Sequence, residues 1–133
     1  MYIVDTNFLG TLAATYPDDL FPTLWEKLET PLFAHDVFFH DEVHTEMKKW
    51  KHPRLNWYEH HVQGGQILMP DEKEVEAYAE VTNWVMTERM PKYKPYAVDD
   101  FLNAADSWLV SSAHRHRATL VTNEIPAPEG IKK

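Results

Sequence analysis

The sequence predicts an α/β fold in which a parallel sheet is covered by helices on both faces. Short apolar runs rich in β-branched and aromatic residues alternate with amphipathic helical segments along the chain. One such run, "YIV", opens the chain with no room before it for other structure, and another, "ATLVT", lies near the far end. Each is followed by an acid, Asp5 or Glu124. At 133 residues the chain can bury the core of one domain, expected to span 1–133, and is too short for two. A hydrophobic share of 44% with 26% charged residues is ordinary globular usage and excludes a disordered or fibrous chain. With no cysteine there is neither a disulfide scaffold nor a thiolate metal site. No apolar run approaches the roughly 18 residues of a membrane span, and the start lacks a signal-peptide pattern, so the expected setting is the cytoplasm, away from membranes.

The elements follow in order. Tyr2, Ile3 and Val4 make a buried strand that ends at Asp5. Thr6 or Asn7 caps a helix through "FLGTLAATY", and "YPDD" ends it. "FPTLWEKLE" is a second helix, with Pro22 near its start where a missing N–H costs nothing. A brief strand in "TPLFAHD" leads into the amphipathic "VFFHDEVHTEMKKW", where Phe39, Val43 and Met47 recur every fourth position. "HPRLNWYEHHVQGG" reads as a turn and short helix closed by Gly64 and Gly65, and "QILMP" as an edge strand or extended link. In "DEKEVEAYAEVTNWVMTERM", Asp71 and Glu74 fit a cap and its reciprocal partner, with Val75, Tyr78, Ala79, Thr82, Val85 and Met86 on one face. After the proline-punctuated "PKYKPYAV", Asp99 or Asp100 caps a long helix, "FLNAADSWLVSSAHRHR", that hands on to "ATLVT".

Chemistry concentrates on acids. The carboxyl ends of parallel strands are where open α/β sheets bind ligands, so Asp5 and Glu124 fall on one rim. Asp106 shares a helix face with Leu102, Leu109 and Val110, about two turns into the expected helix and beyond the dipole's reach. Glu42 and Glu46, four apart, share another face, and spacing does not choose between them; both also read as ordinary surface acids. Converging carboxylates about 4 Å apart repel by about 4 kcal/mol per pair at an effective dielectric near 20. Such a cluster calls for a cation, and oxygen-only ligation favours Mg²⁺ or Mn²⁺, which suits phosphodiester hydrolysis. The balance of 13 Lys and Arg against 21 Asp and Glu, net −8, argues against an evenly basic nucleic-acid grip. Lys48, Lys49, Lys51 and Arg54 nevertheless cluster around Trp50 and His52, either as a local phosphate contact or as a solvated helix end. "HDEVH" does not meet the zinc-protease pattern, because Asp41 stands where glutamate must follow the first histidine. None of the eight histidines is given a role, although a histidine-dependent zinc hydrolase stays a distant alternative.

"DTN" at 5–7, an acid in "EVHTEM", and "ADSWLVSSAHRHRATLVTNE" at 105–124 together resemble the PIN-domain nucleases, including the VapC-type toxins of toxin–antitoxin pairs. The resemblance spans nearly the whole chain in order, with residues 50–98 matching only as helical filler. It implies a three-layer α/β/α sandwich around a parallel sheet and Mg²⁺- or Mn²⁺-dependent endoribonuclease activity. By position it makes Asp5, Glu46, Asp106 and Glu124 the catalytic, metal-holding acids, with Glu42 as the substitute for Glu46. Asn7 and Thr122 would orient them, and an RNA substrate, an antitoxin partner and a homodimer come with the family. Glu124 stands where many members have aspartate, and the chain stops at "APEGIKK", where relatives commonly add a C-terminal strand. A PIN-like module that binds RNA or a protein without cutting is the competing expectation.

Overall fold

The computed structural model describes residues 1–127 and 130. Strands β1 (Tyr2–Val4), β2 (Val37–His40), β3 (Ile67–Leu68) and β4 (Thr119–Val121) form a sheet of order β3-β2-β1-β4 in which every pairing is parallel. Parallel neighbours cannot be joined by a tight turn, so every connection carries helices. Helices α1 (Thr6–Thr15) and α2 (Pro22–Leu32) link β1 to β2, and α3 (Asp41–Lys48) and α4 (Arg54–His61) link β2 to β3. From β3 the chain returns through α5 (Glu72–Asn83), α6 (Pro95–Asn103) and α7 (Ala105–His116) to β4. The α/β expectation therefore holds, with an all-parallel central sheet and helix layers compatible with an α/β/α sandwich. Among the described residues no helix is long and apolar enough to cross a membrane. The expected lack of a further C-terminal strand concerns a tail whose residues 128, 129 and 131–133 lie outside the described set.

Ile3 and Val4 of β1, Phe39 of β2, Leu9, Val43, Met47, Tyr58 and Leu109 are almost wholly excluded from solvent and form the centre of the core. A flank of rings extends it: Trp25 and Trp57 meet edge to face, with centroids 5.0 Å apart, and Phe39 meets Tyr58 the same way at 5.1 Å. At the β3 edge the Gln66 amide donates to the carbonyls of Ala34 and Val37, at 3.2 and 3.0 Å, substituting a side chain for ladder bonds that a two-residue strand cannot make.

Several expectations are corrected. Asp5, not Thr6 or Asn7, caps α1, its carboxylate accepting the Asn7 N–H. The second strand is not in "TPLFAHD": α2 continues to Leu32 with Pro31 in its last turn, and the strand is Val37–His40. The spacing of Phe39 with Val43 mimicked a helix because a strand end and the helix after it face the same core. "FLNAADSWLVSSAHRHR" is two helices, broken at Ala104, whose extended backbone begins α7; Asp99 and Asp100 lie within α6 and cap nothing. Asp106 thus stands in the first turn of α7, where the helix dipole favours a carboxylate. Of its expected apolar neighbours, Leu109 is buried whereas Val110 is exposed.

The face expected along α5 and the turn of residues 84–88 after it is met only in part: Val85 is buried and Tyr78 and Thr82 half-buried, whereas Val75, Ala79 and Met86 are exposed and Glu74 and Ala77 are buried. Asp71 does cap α5 by accepting the Glu74 N–H at 2.8 Å, but the Glu74 carboxylate does not return to the cap. It enters the interior, where Oε1 lies 2.6 Å from Nε2 of His40, both side chains being fully enclosed. His40 Nδ1 meanwhile accepts the Glu42 N–H at 3.1 Å and so caps α3. With Nδ1 an acceptor, the ring proton sits on Nε2 and is donated to Glu74. Trp108 stacks on the same ring. β2, α3, α5 and α7 are thereby tied at one imidazole.

Removing the acceptor leaves a buried donor unsatisfied, which costs about 1–3 kcal/mol. E74A is expected to lower unfolding stability by about that amount in urea titrations, with E74Q, which keeps an acceptor oxygen, losing less. Equal stability of E74A and the parent would show that the pair does not tie these elements.

Candidate active site

Strand order places the site. The chain moves from β1 out to β2 and β3, then returns to lay β4 on the other side of β1, so the order reverses between β1 and β4. Ligands of open α/β sheets bind in the crevice outside the strand ends at such a reversal. The register pairs Val4 with Val121, and the Asp5 N–H continues it by donating to the Val121 carbonyl at 2.9 Å. Asp5 and the segment Thr122–Glu124 are therefore neighbours across 117 residues of sequence.

Their side chains are knitted together. The Thr122 hydroxyl donates towards Asp5 Oδ2 at 2.8 Å and lies 3.2 Å from Asn7 Oδ1. The Glu124 N–H donates to that hydroxyl oxygen at 3.1 Å, and Asn7 Nδ2 donates to Glu124 Oε1 at 3.3 Å. Asn123 completes the set: its N–H donates to Asn7 Oδ1 at 3.1 Å, and its amide reaches the carbonyls of Asn7 and Phe8 at 3.2 and 3.4 Å. Across the rim, Thr6 donates to Glu46 Oε2 at 2.6 Å. That contact ties Glu46 of α3, rather than the exposed Glu42, to the acids of β1 and β4.

Asp5 is the buried acid of the group, with 7% of its surface exposed. Its carboxyl is held above the usual carboxylate range, chiefly by burial and further by the negative charges of Asp106 and Glu124. The Thr122 and Asn7 hydrogen bonds oppose this by favouring the ionised form. Asp106, from the first turn of α7, and Glu124 thus lie within electrostatic reach of Asp5. Among the described residues, however, no three His, Asp or Glu side chains form a ready-made metal cage. The acids share a field rather than a coordination shell. The donor set nonetheless suits a hard cation: every acid offers oxygen, and a positive ion would relieve the crowding felt by Asp5.

Beyond Glu46 and the buried Met47, Lys48 and Lys49 stand at the end of α3 and are exposed, as is Lys51. Arg54 is engaged in the fold, pairing with Asp18 at 2.9 Å and lying 5.4 Å from the centroid of Trp25. Trp50 and His52 stack with centroids 4.7 Å apart beside the lysines. Of the tempting histidine pair, His40 is occupied by Glu74 and His44 Nδ1 lies 2.8 Å from the Tyr58 hydroxyl. Thr6 and Asn123 are the site residues that sequence reasoning missed as participants. Both adjoin marked residues, Asp5 and Glu124, and adjacency was the available signal.

The sequence profile of a family described as a domain of unknown function (DUF4411) matches residues 2–133, and the chain belongs to that family. No curated protein and no solved structure matches the chain.

A carboxyl whose pKa is higher in the folded state than in the unfolded chain subtracts from stability above its folded pKa. The penalty fades as the pH falls through that value towards the unfolded one. D5N is therefore expected to melt higher than the parent at pH 7, with the difference shrinking as the pH is lowered to about 4. Thermal unfolding of both proteins across that range checks it. A D5N protein that melts lower at pH 7 would contradict the sign.

Proposed function

We propose that this chain is a metal-dependent endoribonuclease that hydrolyses RNA phosphodiester bonds at the β1–β4 crevice, as the toxin of a toxin–antitoxin pair. One observation carries the reading: the charges of Asp106 and Glu124 bear on the buried Asp5 carboxyl at the strand-order reversal, with Glu46 joined to the same rim through Thr6. Asp5, Asp106 and Glu124, with Glu46, would hold Mg²⁺ or Mn²⁺. Such an ion supplies Lewis-acid stabilisation of the charge that develops on a phosphodiester oxygen.

The chain's own residues have separate tasks in this reading. Thr122 and Asn7 fix the orientation of the Asp5 and Glu124 carboxylates, as outer groups do around ligating acids. Thr6 does the same for Glu46. The exposed Lys48, Lys49 and Lys51 contact phosphates flanking the scissile one, a local grip compatible with a net charge of −8. Arg54, fixed by Asp18 and Trp25, borders that patch. Restraint by an antitoxin protein, pairing into a homodimer and action in the cytoplasm belong to the same proposal and rest on the resemblance to PIN-domain nucleases.

A second reading, a PIN-like module that binds RNA or a protein without cutting, is favoured by the absence of a ready-made cage among the described residues. Cleavage of a labelled RNA in Mn²⁺ separates the two. The nuclease reading expects chelator-sensitive cutting that is abolished in D5N, reduced about 10–100-fold in T122V, and reduced in E46Q but not in E42Q. RNA binding without cleavage, or cutting unaffected by D5N, would overturn it.

A further inference from the structure

A cavity of about 670 Å³ lies among α5, α6 and α7, and none of its lining residues belongs to the carboxylate rim. Its walls are apolar and aromatic: Val81, Trp84, Val85, Tyr93, Phe101 and Val110. That volume lies in the range of sites that take up drug-sized ligands. Trp84 is 48% exposed and Val110 39%, so large apolar surface stands open at this place.

Carboxylates supply the formal charge of the described lining residues. Glu80 and Glu88 line the cavity with Asn83 and His114, and neither lysine nor arginine is among the described lining residues. Asn83 Nδ2 donates to Glu88 Oε1 at 2.9 Å, and His114 Nε2 lies 3.4 Å from Glu80 Oε2. Each carboxylate keeps oxygen lone pairs beyond those single contacts. Rings add to the preference, because the face of an aromatic ring attracts cations. Tyr93 already shows this: the Arg89 guanidinium carbon lies 3.9 Å from its ring centroid. Trp84 and Phe101 supply further ring surface.

We infer that this cavity is a binding site for a small organic cation with an apolar or aromatic body. The body fills the space between Val81, Val85, Phe101 and Val110, and the protonated or quaternary nitrogen faces Glu80 and Glu88. The acids are exposed, so solvent screens them, and they provide selectivity by charge while the walls provide the affinity. The inference is independent of the nuclease reading.

Three probes of nearly equal size test it: 1-naphthylmethylamine, the neutral 1-naphthalenemethanol and the anionic 1-naphthoate. Titration of the full chain is followed through the methyl resonances of Val81, Val85 and Val110. The amine is expected to bind about tenfold more tightly than the alcohol, with the carboxylate weakest. The double variant E80Q/E88Q is expected to remove most of the amine's advantage over the alcohol, leaving the part that the rings supply, while the alcohol's retained affinity shows that the walls are intact. Equal binding of the three probes by the parent protein, binding that leaves these valines unmoved, or no binding would overturn the inference.

Discussion

The parallel pairing of β1 with β4 is the constraint on which the candidate site depends. It joins the first strand of the chain to the last described one, so two segments far apart in sequence end at the same height on one side of the sheet. The Asp5 N–H to Val121 bond extends the register by one residue beyond the strand. From there the placement of Thr122, Asn123 and Glu124 opposite Asp5 and Asn7 follows from geometry. Asp5 has two tasks at that point, capping α1 and supplying the most buried negative charge of the rim.

Electrostatics and stability pull against each other here. Burial and like charges act against an ionised Asp5, and the hydrogen bonds from Thr122 and from the Asn7 backbone N–H act for it. A neutral residue there would be free of that opposition, so at Asp5 the local chemistry runs against stability rather than with it. The contrast with Glu74 is instructive. That carboxylate is more deeply enclosed, yet it has a donor of fixed geometry in His40 and serves the packing of four elements. Burial of an acid is thus not a functional signal by itself; the surroundings decide which kind it is.

Much of the architecture was legible because period and punctuation agreed. "YIV" and "ATLVT" read as strands, and their terminal acids fell on one rim, as parallel strands require. Where reading failed, two elements shared an apolar surface or one side chain had a distant partner. Phe39, Val43 and Met47 keep a fourfold spacing across a strand-to-helix junction, which hid the strand Val37–His40. The break at Ala104 carries neither proline nor glycine and left no local mark, so Asp106 looked deep within a helix that it in fact begins. The Glu74 side chain could not be placed from its own segment, since its partner is 34 residues away. The tie between Thr6 and Glu46 was hidden for the same reason.

The outer strand at the other flank has its own consequence. β3 is two residues long, and Met69 and Pro70 follow it, the latter with no N–H to offer an incoming chain. The Gln66 amide has already claimed the carbonyls of Ala34 and Val37. A foreign strand approaching from that direction finds almost nothing to zip onto. Intermolecular sheet growth, the usual hazard of an α/β protein's border, is blunted on that flank by brevity and by one glutamine.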